Sequence, residues 1–554
     1  VTKSSSSSII LFMGIIKVYF IFLITFVFLN DISVANDALK KETHLEKNAI
    51  IHEITINNNN VFDLDIDAEN NSLYRFLNRF HVNTRENVIR SQLLFNVGET
   101  YDKRVADETE RLLRVNRYIA DANITENEHE NGKVNIFVNT RDAWTLNPGF
   151  SYRKGSDKNK SSISLKENNF LGYGTRVGLR YKSDIDRDST IFEMSDNNLF
   201  ATRYVMNVNY ANNSDGNKSL LDFGQPFYAL NTQRAFGIKY QNKTSVESLY
   251  KLGNVESQYQ YKSKKYDFFY GSSNGLIGNW VKRYFVGGIL EEHNYDNNLD
   301  FKSISDNLIP SNRRHIYPFI GVELIEDDFI EEKNIDNIGL VEDRHLGARL
   351  SFKLGYADHS MESSSSAWFL DTSYSNSFHV NEKQALLFAS SLKGRYEDNS
   401  MRNLLFDLMA RYDVRLSSKR LFHFGVNAVI GKRLDLNNLL YLGGDNKLRG
   451  YPARYQAGES KIIFTIEQRY FTDWYPFRIA RIGGAIFLDI GKTWEQENLN
   501  FPQMGWLKNI GVGLRITNSR SEIGRMLHID IAYPLDGDSS IDKLQLLIEA
   551  KKGF

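Results

Sequence analysis

Three charged residues in the last third of the chain carry the clearest chemistry: Arg449, Glu467 and Asp489. A guanidinium is a planar fork of donors that matches a carboxylate two-on-two. Sheltered from water, such a pair outweighs a surface salt bridge. Arg449 sits in LGGDNKLRGYPARYQ (442–456), where paired glycines, the run Arg449, Gly450, Tyr451 and a proline separate two strand-like segments. The connection, from about Asn437 to Ser460, far exceeds a hairpin turn and lacks the composition of a disordered tract.

Other motifs dissolve on inspection. Gly271-Ser272-Ser273-Asn274-Gly275 fits G-x-S-x-G, but that elbow needs a strand before it and a helix after it. Here it joins YDFFY (266–270) to LIGNWVKRYF (276–285) and reads as a glycine-serine turn. His129, His345 and His359 lack metal-ligand spacing, and GYGTRVG (172–178) has the wrong spacing and setting for a phosphate loop. With no cysteine, disulfides and thiolate metal sites are excluded. The 68 basic and 68 acidic residues cancel, so no basic face offers itself to nucleic acid. No enzyme activity, cofactor or metal is expected.

The elements that must position the triad are strands. From Trp144 onward no helical period persists. LFDLMARYDVRL (405–416) puts Phe406, Leu408, Ala410, Tyr412, Val414 and Leu416 on one face and Asp407, Arg411, Asp413 and Arg415 on the other. HLGARLSFKLGY (345–356), TRVGLRYKS (175–183) and HIDIAYPL (528–535) repeat the pattern. Many segments reach the length a tilted strand needs to cross a bilayer, longer than sandwich strands usually run. Between about 147 and 554 roughly sixteen to eighteen are counted, which fits a transmembrane antiparallel β-barrel. Tyr356, Tyr396, Tyr412 and Phe471 stand where interfacial girdles are expected.

Alternation then assigns the carboxylates. In KIIFTIEQRYF (461–471), Ile462, Phe464, Ile466, Gln468 and Tyr470 face outward, so Thr465, Glu467 and Arg469 face the lumen. In RIGGAIFLDIGKTW (481–494), Phe487, Asp489 and Gly491 face inward. Two readings fit the triad: the loop folds in and sets Arg449 between Glu467 and Asp489, or it is an outside ornament above ordinary lumenal charges.

Upstream lies a different unit. Met13 to Lys17, the apolar run VYFIFLITFVFL (18–29) and Ser33-Val34-Ala35 fit a signal peptide over 1–35, cleaved after Ala35; residues 1–12 precede that Met13. The other reading is an uncleaved anchor over 9–29 with Lys17 inside. Residues 36–48 read as a polar linker. IIHEITI (50–56), NTRENVIRSQL (83–93), KRVADETERLLRVN (103–116), RYIADANITE (117–126) and KVNIFVNT (133–140) predict β-α-α-β-β over 49–141.

LRGY (448–451) and, some forty residues on, FLDIG (487–491) resemble the two signature motifs of the BamA/TamA superfamily of bacterial outer-membrane assembly and translocation factors. The unit at 49–141 is similar to one POTRA domain, with Gly98, Tyr101 and Asp102 at the family's inter-helix turn. TRDAWTLNPGFSY (140–152), KENNFLGYGTRVGL (166–179) and DFGQPFYAL (222–230) look like the family's first strands. The resemblance implies a sixteen-stranded barrel over 142–554 in the outer membrane, with the POTRA-like domain in the periplasm. It implies that the Arg449 loop locks to Asp489 with help from Glu467. It also implies that unfolded or extended polypeptide clients add to the POTRA edge, that the first and last strands form a weak seam, and that Phe554 is the terminal-strand signal. A single POTRA and Lys552 near the end depart from the pattern.

The expected function is client insertion or transport by a monomeric barrel in the lipid bilayer. The alternatives are a passive diffusion pore and a surface antigen or adhesin, the latter favoured by the Asn/Asp-rich stretches 292–312 and 327–343.

Overall fold

A computed structural model describes residues 49–129, 132–153, 159–297, 309–494, 505–521, 525–537, 539 and 541–552. The expected signal peptide (1–35), the linker (36–48) and Phe554 lie outside the described residues.

The N-terminal unit runs β1 (Ile50–Asn59), α1 (Ser72–Phe80), α2 (Glu86–Arg90), α3 (Lys103–Val115), β2 (Ile119–His129) and β3 (Lys133–Asp142). β3 is central, parallel to β1 and antiparallel to β2. Strict alternation in β3 turns Val134, Ile136 and Val138 onto one face, where they pack with Ile51, Ile89 and Leu113. The helix expected over 83–93 is reduced to α2, because the amides that would open it are taken elsewhere. Thr84 N donates to Asp142 Oδ2 (2.7 Å) and Arg85 N to Gly172 O (3.0 Å). α1 was not foreseen: nine residues hardly establish a helical period, although Asn71 caps it by accepting from Tyr74 N at 3.1 Å.

The remaining strands are, in order, β4 (Leu146–Arg153), β5 (Lys160–Phe170), β6 (Thr175–Ser183), β7 (Asp188–Asp196), β8 (Val205–Asn213) and β9 (Gly216–Gln225). Next come β10 (Arg234–Lys251), β11 (Asn254–Ile277), β12 (Trp280–Asn297) and β13 (Arg313–Glu326). A short hairpin, β14 (Phe329–Lys333) and β15 (Val341–His345), interrupts before β16 (Arg349–Ala357), β17 (Ala367–Asn381), β18 (Gln384–Glu397), β19 (Ser400–Ser417) and β20 (Arg420–Lys432). After β21 (Leu440–Leu442) and β22 (Gln456–Gly458), the sheet resumes with β23 (Ser460–Phe471), β24 (Ala480–Trp494), β25 (Leu507–Asn518), β26 (Arg525–Pro534) and β27 (Gln545–Lys552). β14–β15 and β21–β22 form separate two-stranded sheets, and the rest close into an antiparallel barrel of twenty strands.

The expected count of about sixteen is therefore too low. Tight turns hide strand boundaries: a two-residue turn inverts the alternation, but a bulge beside it restores the original parity, so the pattern runs on with little break. Leu252–Gly253 joins β10 to β11, and Asp398–Asn399, both left-handed at φ 48° and 60°, joins β18 to β19. The six strands of 146–225 are also weakly apolar, as in GNKSLLDFGQ.

The N-terminal unit covers one end of the barrel, here the proximal end. Tyr74 Oη donates to Phe477 O (2.5 Å), Arg520 Nη1 to Val61 O (3.2 Å) and Asn198 Nδ2 to Val88 O (3.4 Å). Glu108 accepts from Leu230 N at 2.8 Å. These partners all lie on turns between strands, on both sides of the joint between β27 and β4.

Candidate functional site

The loop 433–459 enters from the distal end and is fastened to the wall in several places. At its start Asp435 accepts from Arg313 (2.7 Å) and from both terminal nitrogens of Arg395 (3.0 and 3.1 Å). Leu436 and Leu439 pack under Tyr259, Tyr261 and Tyr295, on the long distal extensions of β11 and β12. Arg454 pairs with Asp186 (2.6 Å) and lies 4.5 Å over the Tyr250 ring. β21 and β22 pair within the loop, whose own core is Leu442, Leu448, Tyr451 and Tyr455.

At the bottom of this loop stands Arg449. Its Nε and Nη2 each donate at 2.8 Å to the two oxygens of Asp489, and its Nη1 donates to Glu467 Oε2 at 3.1 Å. The guanidinium carbon lies 3.3 Å above the centre of the Phe487 ring. β23 and β24 pair Thr465 with Asp489 and Glu467 with Phe487, so all these side chains reach the same patch of inner wall. Asn509 Nδ2 also donates to Asp489 (3.0 Å), and Arg469 Nε to Glu467 (3.0 Å). A fork, two carboxylates and a ring face saturate one another here away from water; the three charged groups are 7, 0 and 4% exposed. Close backbone approach explains two glycines. A Cβ on Gly450 would stand 2.4 Å from Asn509 Cβ, and one on Gly491 would stand 3.0 Å from Leu442. Tyr451 Oη donates to Lys508 O (2.7 Å) and accepts from Lys508 N (3.0 Å).

A second segment, unforeseen, enters from the proximal end. The β14–β15 hairpin carries its tip, 334–340, into the lumen. Asp336 pairs with Arg411 at 2.7 Å, and Ile335 O accepts from Arg469 Nη1 at 3.1 Å. Ile338 is buried among Leu421, Phe471 and Met526. Phe471 thus points inward beneath the hairpin and is not the girdle residue it was expected to be; it shares the parity of Glu467 and Arg469. At the hairpin's base, Arg114 of α3 donates to Asp343 from Nε (3.0 Å) and Nη2 (2.7 Å) and to Glu331 (2.6 Å). Arg469 touches both intruding segments: it holds the hairpin tip and, through Glu467, Arg449. Beside these contacts remains a cavity of about 380 Å³ lined by both signs of charge, Arg153, Arg411, Lys447, Arg449 and Arg469 with Asp445, Glu467 and Glu549.

Arg114 also reaches the edge strand of the N-terminal unit. β2 pairs only with β3 among the described residues, and the open side of its middle is held by α3. Arg114 Nη1 donates to Ala122 O (3.1 Å), and Ile124 N donates to Glu110 Oε1 (2.5 Å). Burial raises the Glu110 and Glu108 carboxyls above their ordinary range, although hydrogen bonds and nearby cations oppose it.

The barrel's closure is uneven. Among the described residues β27 and β4 pair only at Leu547↔Arg153 and Ile548↔Tyr152, whereas β26–β27 and β4–β5 each pair over eight. An ion pair, Arg153 to Glu549 at 3.2 Å, spans this joint.

The hairpin had no clear signal in the sequence. Its stretch, 327–343, was expected among exposed loops because it is rich in Asn and Asp, yet those residues meet arginines of α3, β19 and β23. The GSSNG motif is not the turn that was expected: it lies within β11, antiparallel to β10 and bulged between Ser273 and Leu276, and the turn to β12 falls at Gly278–Asn279.

Comparison with known proteins finds that residues 335–548 match the Omp85 superfamily domain, which bears out the resemblance read from LRGY and FLDIG. No curated protein matches the chain. Among solved structures, CdiB from Escherichia coli is 10% identical, covering 93% of this chain and 80% of its own, with a TM-score of 0.46. BamA from Haemophilus ducreyi lacking POTRA domains 1–3 is 11% identical, covering 90% and 84%, with a TM-score of 0.39.

Proposed function

We propose that this chain, an outer-membrane barrel with an Omp85 superfamily domain at 335–548, handles extended polypeptide clients that it inserts into or moves across the membrane. The observation that carries this reading is a lumen entered from both ends by the chain's own segments. Barrels of sixteen to eighteen strands already leave an aqueous channel, so one of twenty is wide enough to be an open pore. Ion-paired plugs at Arg449 and Asp336 argue against steady diffusion and for regulated opening.

In this reading the N-terminal unit is a POTRA-like domain in the periplasm, and a client strand adds to β2 by backbone pairing. To do so it displaces Glu110 and Arg114 from the β2 edge, and Arg114 also holds the hairpin base. Client arrival and proximal plug release thereby share one side chain. The two-pair joint between β27 and β4 is the place for lateral exit. The reading assigns no catalytic step and no cofactor. The adhesin alternative loses one of its supports, since 327–343 lies at the proximal end.

Planar-bilayer recording tests it. The wild-type protein should give small, flickering currents; a large, steady conductance identifies a diffusion pore and overturns the reading.

A further inference from the structure

The segment Ser72–Phe80, SLYRFLNRF, carries more apolar surface than its packing uses. Tyr74 and Leu77 face the protein, packing with Phe62, Trp144 and Ile479, and Tyr74 Oη bonds the carbonyl of Phe477. Leu73, Phe76 and Phe80 do not: they are 48, 58 and 66% exposed. At 100° per residue these three fall within about 60° of one another, a single stripe beside the packed face. The Phe76 and Phe80 rings touch, tilted at 49° with their centres 4.6 Å apart. The helix contains no acid, and its two cations, Arg75 and Arg79, are exposed on the side away from the barrel contact.

A separate observation tells what covers this stripe. Leu171, Phe200 and Phe477 lie on three different turns at the proximal end, and all three adopt left-handed backbone, at φ 55°, 55° and 52°. Such conformations suit glycine or asparagine and cost a bulky apolar residue free energy. Yet these side chains are 55, 86 and 77% exposed, with Trp474 at 64% on the same turn as Phe477. Strain accepted in order to hold apolar groups outward makes sense where the outward medium is apolar. On the outer-membrane reading this rim borders the lipid-facing wall, and α1 is bonded to it at Phe477.

We propose that α1 lies in the membrane interface of the proximal leaflet, with Leu73, Phe76 and Phe80 among acyl chains and Arg75 and Arg79 on lipid phosphates. The inference rests on the outer-membrane reading of the barrel. α1 docks beneath the β23–β24 turn, and its segment bonds the β25–β26 turn through Val61, so this anchor would sit beside the β27–β4 joint. It would hold the N-terminal unit against the bilayer where a client leaves the barrel.

The absence of cysteine makes the test clean. Single cysteines replace Phe76, Phe80, Asp65 or Ile238 and carry an environment-sensitive fluorophore. The full-length protein is reconstituted in phosphatidylethanolamine–phosphatidylglycerol vesicles. Labels at 76 and 80 should be quenched by headgroup-proximal nitroxide lipids about threefold more than by aqueous iodide, with the reverse at Asp65. Arg75→Glu with Arg79→Glu should lower the lipid-seated fraction about fivefold per arginine in these vesicles and much less in zwitterionic ones. Iodide access at 76 equal to that at Asp65 overturns the proposal, as does shielding from both quenchers, which would mean a protein partner or second copy covers the stripe. Ile238, 59% exposed on the barrel wall, separates the premises: iodide quenching there would instead sink the outer-membrane reading.

Discussion

Replacing Arg449 by alanine removes the bidentate pair with Asp489, the bond to Glu467 and the stack on Phe487 in one step. Removing one partner of a buried ion pair typically costs about 3–5 kcal/mol, because the remaining charge stays buried without it. Here Glu467 keeps Arg469 and Asp489 keeps Asn509, so the lower end, about 3 kcal/mol, applies. At about 1.4 kcal/mol per factor of ten, loop opening should rise on the order of a hundredfold. Native-state hydrogen exchange reads this directly. The amides of Gly444, Leu448 and Tyr451, bonded to Pro452 O, Gly443 O and Leu448 O, should lose about two decades of protection. Amides in the β18–β19 ladder should not change. Arg449→Lys keeps a charge but loses the fork and the flat stack, so an intermediate loss of about tenfold is expected. Protection in Arg449→Ala within about threefold of wild type would refute the reasoning, since the pair would then not hold the loop.

Asp336→Ala should raise single-channel open probability, because Arg411 and Arg469 lose the hairpin carboxylate. Combined with Arg449→Ala the effect should be non-additive, since Arg469 contacts both plugs, and a double-mutant cycle in planar bilayers measures this. Glu549→Gln weakens the ion pair across the joint and should speed amide exchange in β27 and β4 but leave β18 unchanged, read by mass spectrometry. For pH dependence, the Glu108 carboxyl is raised by burial against the barrel, so docking favours its protonated form. Attachment of the N-terminal unit should therefore strengthen as pH falls toward the ordinary carboxylate range and weaken as it rises, measured by limited proteolysis. Glu108→Gln retains an acceptor for Leu230 N and should flatten that profile.

The inner wall was legible because side-chain parity along a strand is fixed: one outward Ile466 dictates an inward Glu467, and the same rule places Phe487 and Asp489. Paired glycines and LRGY marked the loop that meets them. Strand number was less legible, since a two-residue turn with a bulge beside it restores parity and leaves little mark. The hairpin was misjudged for a different reason. Asp336 and Asp343 look like solvent-facing loop residues until arginines distant in sequence, Arg411 and Arg114, are brought beside them. Phe471 shows the complementary error, since an aromatic near a strand end resembles a girdle residue unless Ile338 is known to cover it.

Site-specific photocrosslinking from the solvent-facing side of β2, at Asn123 and Thr125, tests the handling of extended clients most directly. Discrete polypeptide adducts are expected in cells, stronger when Arg114→Ala frees the carbonyl of Ala122, and absent from Glu53 on β1. Equal adducts from Glu53 and Asn123, unchanged by Arg114→Ala, would contradict it.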